Sequence, residues 1–89
     1  MPEISRFYGV VVTMYFGDPD RHPVPHFHAR YGEYEASFTI DPPAWLAGML
    51  PRHQLQLVLA WAEIHQDELV QNWQRLLREE PVEKVAGLQ

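Results

Sequence analysis

Residues 7–16, FYGVVVTMYF, carry apolar side chains at successive rather than alternate positions: Val10, Val12, Met14 and Phe16 on one side of an extended backbone, Val11 and Tyr15 on the other. Such a run of β-branched and aromatic residues reads as a strand that is central in its sheet or covered on both faces. The next segment, GDPDRHPVP at 17–25, holds three prolines, a glycine and two aspartates and reads as a loop. Beyond it the period becomes two. In PHFHARYGEYEASF, residues 25–38, polar and apolar side chains alternate on either side of Gly32-Glu33.

A two-residue turn at Gly32-Glu33 pairs Tyr31 with Tyr34, Arg30 with Glu35, Ala29 with Ala36, His28 with Ser37, Phe27 with Phe38 and His26 with Thr39. Only this register puts like opposite like, because a slip of one residue sends every side chain to the other face. Glycine at the first turn position suits a type II′ turn. The hairpin, with strands at 26–31 and 34–40, then has an apolar face of Phe27, Ala29, Tyr31, Tyr34, Ala36 and Phe38. Its polar face carries His26, His28, Arg30, Glu35, Ser37 and Thr39. A turn at Asp41-Pro42-Pro43 leads to a further, shorter candidate strand at 45–49.

The period changes again after Pro51, a residue suited to the first turn of a helix. No Pro or Gly interrupts the chain from there to about Arg78, and Leu55, Val58, Leu59, Ala62, Leu69, Trp73 and Leu76 recur at helical spacing. One helix over 51–78 is expected, continuous or as two segments end to end. Leu57, Trp61 and Ile64 form a second apolar stripe, which a small sheet leaves uncovered and which therefore reads as an interface for a partner or a second copy. Residues 79–89 read as an extended or frayed tail. The expected fold is α+β: a three- or four-stranded antiparallel sheet packed against one long C-terminal helix, in a single domain over 1–89.

Length supports that economy, since 89 residues leave room for little beyond one sheet and one long helix. The absence of cysteine excludes disulfides, thiolate metal sites and cysteine nucleophiles. A formal net charge of −5 argues against sequence-independent nucleic-acid binding, which draws its affinity from cations on phosphate. Arg21, Arg30 and Arg52 lie with most of the histidines in the first part of the chain, whereas Glu63, Asp67, Glu68, Glu79, Glu80 and Glu83 acidify the last third. With no signal-like start and no apolar run of membrane-spanning length, the expectation is a cytoplasmic protein without membrane contact. No glycine-rich phosphate loop, Ser-His-Asp order or nucleotide fingerprint is present.

The stretch PHFHARYGE, together with MPEISRFYG at the start and the series Leu50-Pro51, Trp61, His65, Leu69 and Asn72-Trp73, resembles a family of small bacterial proteins known only as a domain of unknown function, number forty-one sixty. Arg21-His22-Pro23-Val24-Pro25 and Asp41-Pro42-Pro43-Ala44-Trp45 depart from the family's pattern. The resemblance implies a companion protein encoded alongside and, by that association, a toxin–antitoxin role.

Candidate chemistry gathers on the polar hairpin face. His26 and His28 sit one strand repeat apart, about 6.6–6.8 Å, near enough to converge on one ion or one phosphate. A zinc site needs a third ligand, and Glu35 faces Arg30 instead, so no metal or other cofactor is expected. Two histidines with an arginine also match metal-free phosphodiester cleavage, one imidazole as base, the other as acid and Arg30 on the phosphate. The plainest reading is a solvated face carrying an Arg30–Glu35 cross-strand pair. His65 on the helix seam reads as a partly buried histidine hydrogen-bonded to the sheet or a loop. Two functions follow from different classes: a protein-interaction module, one member of a two-protein cassette or self-associating, or a ribonuclease-like toxin acting through His26, His28 and Arg30 on RNA.

Overall fold

Tyr8 and Gly9 both take left-handed backbone angles, φ 48° and 79°, and so turn the chain back on itself inside the run that reads as one strand. Positive φ at both central residues gives a two-residue hairpin whose twist matches its strands. The expected strand at 7–16 is therefore two: β1, Glu3–Phe7, and β2, Val10–Thr13. The computed structural model describes residues 2–15 and 24–89, and the expected loop at 17–25 falls outside them apart from Val24 and Pro25. Three further strands follow, β3 at His26–Tyr31, β4 at Tyr34–Ile40 and β5 at Pro43–Met49, and then two helices, α1 at Arg52–Ile64 and α2 at Gln66–Leu77.

The five strands form one antiparallel meander in the order β1-β2-β3-β4-β5. The sheet thus has one or two strands more than expected. The β3–β4 register is the one that alternation selects, from Tyr31 opposite Tyr34 down to His26 opposite Thr39. Gly32 stands at φ 58° in the turn, as the type II′ geometry requires at that position. On β5, Gly48 is also left-handed, and a Cβ there would collide with the carbonyl of Glu35. Glycine lets β5 lie close against β4 across the bulge between its Trp45 and Ala47 pairings.

One face of the sheet supplies Ile4, Phe7, Val10, Val12, Met14, Phe27, Ala29, Ala36, Phe38 and Ile40 to the core, and the helices close it with Val58, Trp61, Ala62 and Leu69. Phe27 stacks on Phe38 at 5.3 Å between ring centroids and meets Trp61 edge-on at 5.7 Å. The helical region expected at 51–78, continuous or as two segments, is two segments end to end, broken at His65, whose φ of −108° leaves the helical range. Just past the break, the Gln66 amide donates to the Ile40 carbonyl at 3.2 Å and to Asp41 Oδ1 at 3.0 Å, which holds the start of α2 to the end of β4. His65 is half-buried there, and its Nδ1 lies 2.6 Å from Glu68 on the following turn, not against the sheet or a loop as expected.

Trp61 is the largest correction. It is 0% exposed, so it belongs to the core and not to a surface stripe. The chain after α2 does not fray: Val85 N–H donates to the Ile4 carbonyl at 2.7 Å, and the Trp61 indole N–H to the Ala86 carbonyl at 2.8 Å. The tail lies over the helix and along β1.

Ser5 shares the buried face of β1, and among the described residues its hydroxyl has no hydrogen-bond partner. A buried hydroxyl without a partner loses its hydration on folding and gains nothing in return. Ser5→Ala is therefore expected to leave stability unchanged or to raise it by about 1 kcal/mol in urea denaturation. A loss of that size would mean that the hydroxyl is bonded.

Candidate functional site: a buried histidine pair

On the face of the sheet away from the helices, His26 aligns with Thr39 and Ala44, beside two longer rows of side chains. Strand registers place Glu3, Thr13, His28, Ser37 and Ala47 in one row and Arg6, Val11, Arg30, Glu35 and Met49 in the next. His26, His28 and Arg30 do share a face, but that face is not simply wet. His26 is 2% and His28 5% exposed, whereas Arg30 stands in solvent. The solvated-face reading of the two histidines is thereby corrected: β3 is covered on both sides along its first four residues.

Aromatic contacts account for part of the cover. Tyr15 stacks on His28 at 5.0 Å, His28 meets His26 edge-on at 5.3 Å, and His26 lies 5.4 Å from the Trp73 ring of α2. Tyr15 comes from just past β2 and Trp73 from the second helix, so this run of rings ties the outer face of the sheet to the helical layer. His26 Nδ1 is also 2.8 Å from the Val24 carbonyl. Two flat rings that meet edge to face hold each other's orientation. Both imidazoles are packed as parts of the structure.

A cavity of about 210 Å³ opens beside His28, lined also by Glu35, Ala36, Ser37, Ala47 and Gly48. It falls short of the roughly 300–1,000 Å³ typical of sites that enclose a small-molecule ligand. Arg30 and Glu35 are direct cross-strand neighbours as expected, yet among the described residues no ion pair joins them. The charge on this face is organised instead around β1, where Arg6 donates to both carboxylate oxygens of Glu3 at 2.8 and 3.2 Å. That hydrogen bonding, assisted by the positive charges of Lys84 and Arg30, holds the Glu3 carboxyl below the usual carboxylate range. Among the described residues no group of three or more histidines and carboxylates is placed to hold a metal ion. Arg21 and His22 lie outside the described residues.

The proposed interface residues are separated by the fold. Trp61 is in the core, Leu57 is half-buried in a groove with Tyr8, His53, Gln54 and Leu88, and Ile64 is exposed at the end of α1. Sequence reasoning passed over Asn72, which is 1% exposed. Its amide donates to the Glu83 carbonyl at 2.9 Å and its oxygen accepts from the Glu83 N–H at 2.9 Å. The signal was present: Asn72 stands three residues after Leu69 and four before Leu76, a polar side chain on an apolar stripe.

With this geometry in hand, residues 9–74 match the model of a family described as Domain of unknown function (DUF4160). The chain belongs to that family. No curated protein and no solved structure matches it. The DUF4160 match runs from the β1–β2 turn to the last turns of α2 and takes in the histidine pair, whereas β1 and the tail that pairs with it lie outside. No helix is long and apolar enough to cross a membrane among the described residues.

Packing of the His28 ring makes a measurable difference. His28→Ala is expected to lower stability by about 2–4 kcal/mol in urea denaturation, as large-to-small changes at packed sites do. A change within about 0.5 kcal/mol, the range for free surface positions, would show that the ring carries no packing.

Proposed function

We propose that this DUF4160 chain is a small protein-interaction module, one member of a two-protein, toxin–antitoxin-like cassette, and that it docks its companion through β5. The observation that carries the reading is Trp45, which is 55% exposed and yet held in place, its indole N–H donating to the Gly48 carbonyl at 2.9 Å. Met49, at 67% exposure, stands on the same edge strand but opposite Glu35, on the other face from Trp45, which pairs with Phe38. A large aromatic side chain already fixed in the free protein loses little freedom on binding, and interface energy concentrates in such residues. No charged residue occurs from Pro42 to Pro51, so desolvating this strand costs little. Burial of Trp61 moves the proposed surface from the helix stripe to this edge.

The ribonuclease-like alternative draws less support. A general acid and base must reach the substrate, and the two imidazoles are packed against each other and against Tyr15 and Trp73. Arg30, in the neighbouring row, is the exposed member of the three.

Co-expression with the neighbouring gene product is the test. The two proteins are expected to co-purify, and Trp45→Glu to weaken binding by at least about 30-fold, the equivalent of a hot-spot loss of about 2 kcal/mol, without unfolding the chain. Wild-type affinity in Trp45→Glu would remove β5 from the interface. Growth arrest with RNA cleavage on expression of the chain alone, abolished by His28→Ala in a protein still folded, would replace this reading with the enzymatic one.

A further inference from the structure

The tail after α2 is held the way a receptor holds an extended peptide. Its main chain is read at three places: Asn72 grips Glu83 through both N–H and carbonyl, Ile4 accepts from Val85 N–H, and Trp61 donates to the Ala86 carbonyl. Val82, Val85 and Leu88 pack their side chains against the core. At Gly87 a Cβ would lie 2.9 Å from the Arg6 carbonyl oxygen and 3.1 Å from Phe7 Cβ, so any other residue there would have to push the β1 backbone aside. Main-chain hydrogen bonds for affinity and side-chain fits for selectivity are the means by which a sheet edge recognises a strand.

The link between groove and tail is under local strain. Glu79 is a non-glycine residue at φ 59°, and the turn it makes is closed by Glu80 N–H on the Arg75 carbonyl at 2.8 Å. Left-handed backbone is disfavoured for a residue with a Cβ. Glu80 follows, and Pro81 after it favours an extended conformation at Glu80.

We propose that the groove is also filled in trans by the C-terminal segment of a second copy, two chains exchanging residues 82–88 reciprocally. A second copy brings the one sequence that the groove is seen to fit, including glycine at position 87, and every groove contact of residues 82–88 is made again, while the bonds of the turn at Glu79-Glu80 are given up. Exchange lets the Arg78–Pro81 hinge extend and releases Glu79 from its left-handed conformation. Closure within one chain wins in dilute solution, because a tethered segment has an effective concentration of roughly millimolar. Exchange therefore rises with protein concentration and dominates when the hinge cannot turn.

Deleting Glu79 and Glu80 from the full chain removes the turn. The variant is expected to run as a dimer in light scattering, with the Val85 amide still protected from hydrogen exchange. In a second arm, the full-length Val85→Asp chain, with a sound groove and a spoiled tail, is mixed with the Asn72→Leu chain, with a spoiled groove and a sound tail. Native mass spectrometry should then find the mixed dimer, with each variant alone monomeric. A monomeric hinge variant whose Val85 amide exchanges freely overturns the proposal. So does a hinge variant that binds the neighbouring gene product's peptide in the groove while remaining monomeric. Should the hinge variant fail to fold, the mixture decides, and absence of the mixed dimer overturns the proposal.

Discussion

The indole of Trp61 is the point on which the fold closes. Its ring lies 5.3 Å from Phe7 on β1 and 5.7 Å from Phe27 on β3, and its one polar atom donates to the Ala86 carbonyl of the tail. A buried indole N–H needs an acceptor, and neither the sheet face nor the helix supplies one at that place. The tail does, and in doing so brings Val85 onto the edge of β1. A sheet edge, a helix and a terminal segment distant in sequence are thus joined by one side chain. The same arrangement accounts for the second apolar stripe of α1: Trp61 packs on Phe7 and Phe27, Leu57 is half-buried in a groove lined also by Leu88 of the tail, and Ile64 is left exposed.

Local periodicity made the central hairpin legible to the residue. Alternation in PHFHARYGEYEASF admits one register, and the turn glycine agrees with it. The helical region was legible for the same reason, and the antiparallel α+β class followed. What failed to show were features whose cause is not periodic. The Tyr8-Gly9 turn sits inside a β-rich run with an aromatic residue in a left-handed position, and propensity hides it. The break at His65 has no Pro or Gly to announce it and goes with Gln66 bonding to the end of β4, a contact between residues more than twenty apart. The tail's course depends on partners at Ile4, Trp61 and Asn72, and no window of sequence contains them all.

The candidate site was legible in its membership and not in its surroundings. Alternation placed His26, His28 and Arg30 on one face correctly, and the same alternation placed Tyr15 on the outer side of β2, where it stacks on His28. Polarity alone suggested that the face was wet. Burial of a histidine depends on what lies over it, and Tyr15 and Trp73 reach it from two other elements. The family motif PHFHA therefore has a structural explanation that requires no chemistry: its Phe and Ala fill the core face of β3, and its two histidines fill the opposite one.

A strand covered on both faces leaves the function to be sought at the edges, and the two edges of this sheet are treated differently. β1 is lined by the chain's own tail, joined to it by the Val85 N–H to Ile4 carbonyl bond and in close approach at Gly87. Among the described residues β5 has no such cover, but it is not a bare template for another strand. Its bulge after Trp45, the left-handed Gly48 and the indole bonded to the Gly48 carbonyl all interrupt the row of backbone groups that a foreign strand would need. Its exposed apolar side chains are Trp45, opposite Phe38 and held by its bond to the Gly48 carbonyl, and Met49, opposite Glu35 on the other face of the sheet, both on an uncharged segment. At β1 the tail is bound by a main-chain bond from Val85 to Ile4 and by the packing of its side chains, whereas the exposed groups of β5 are side chains.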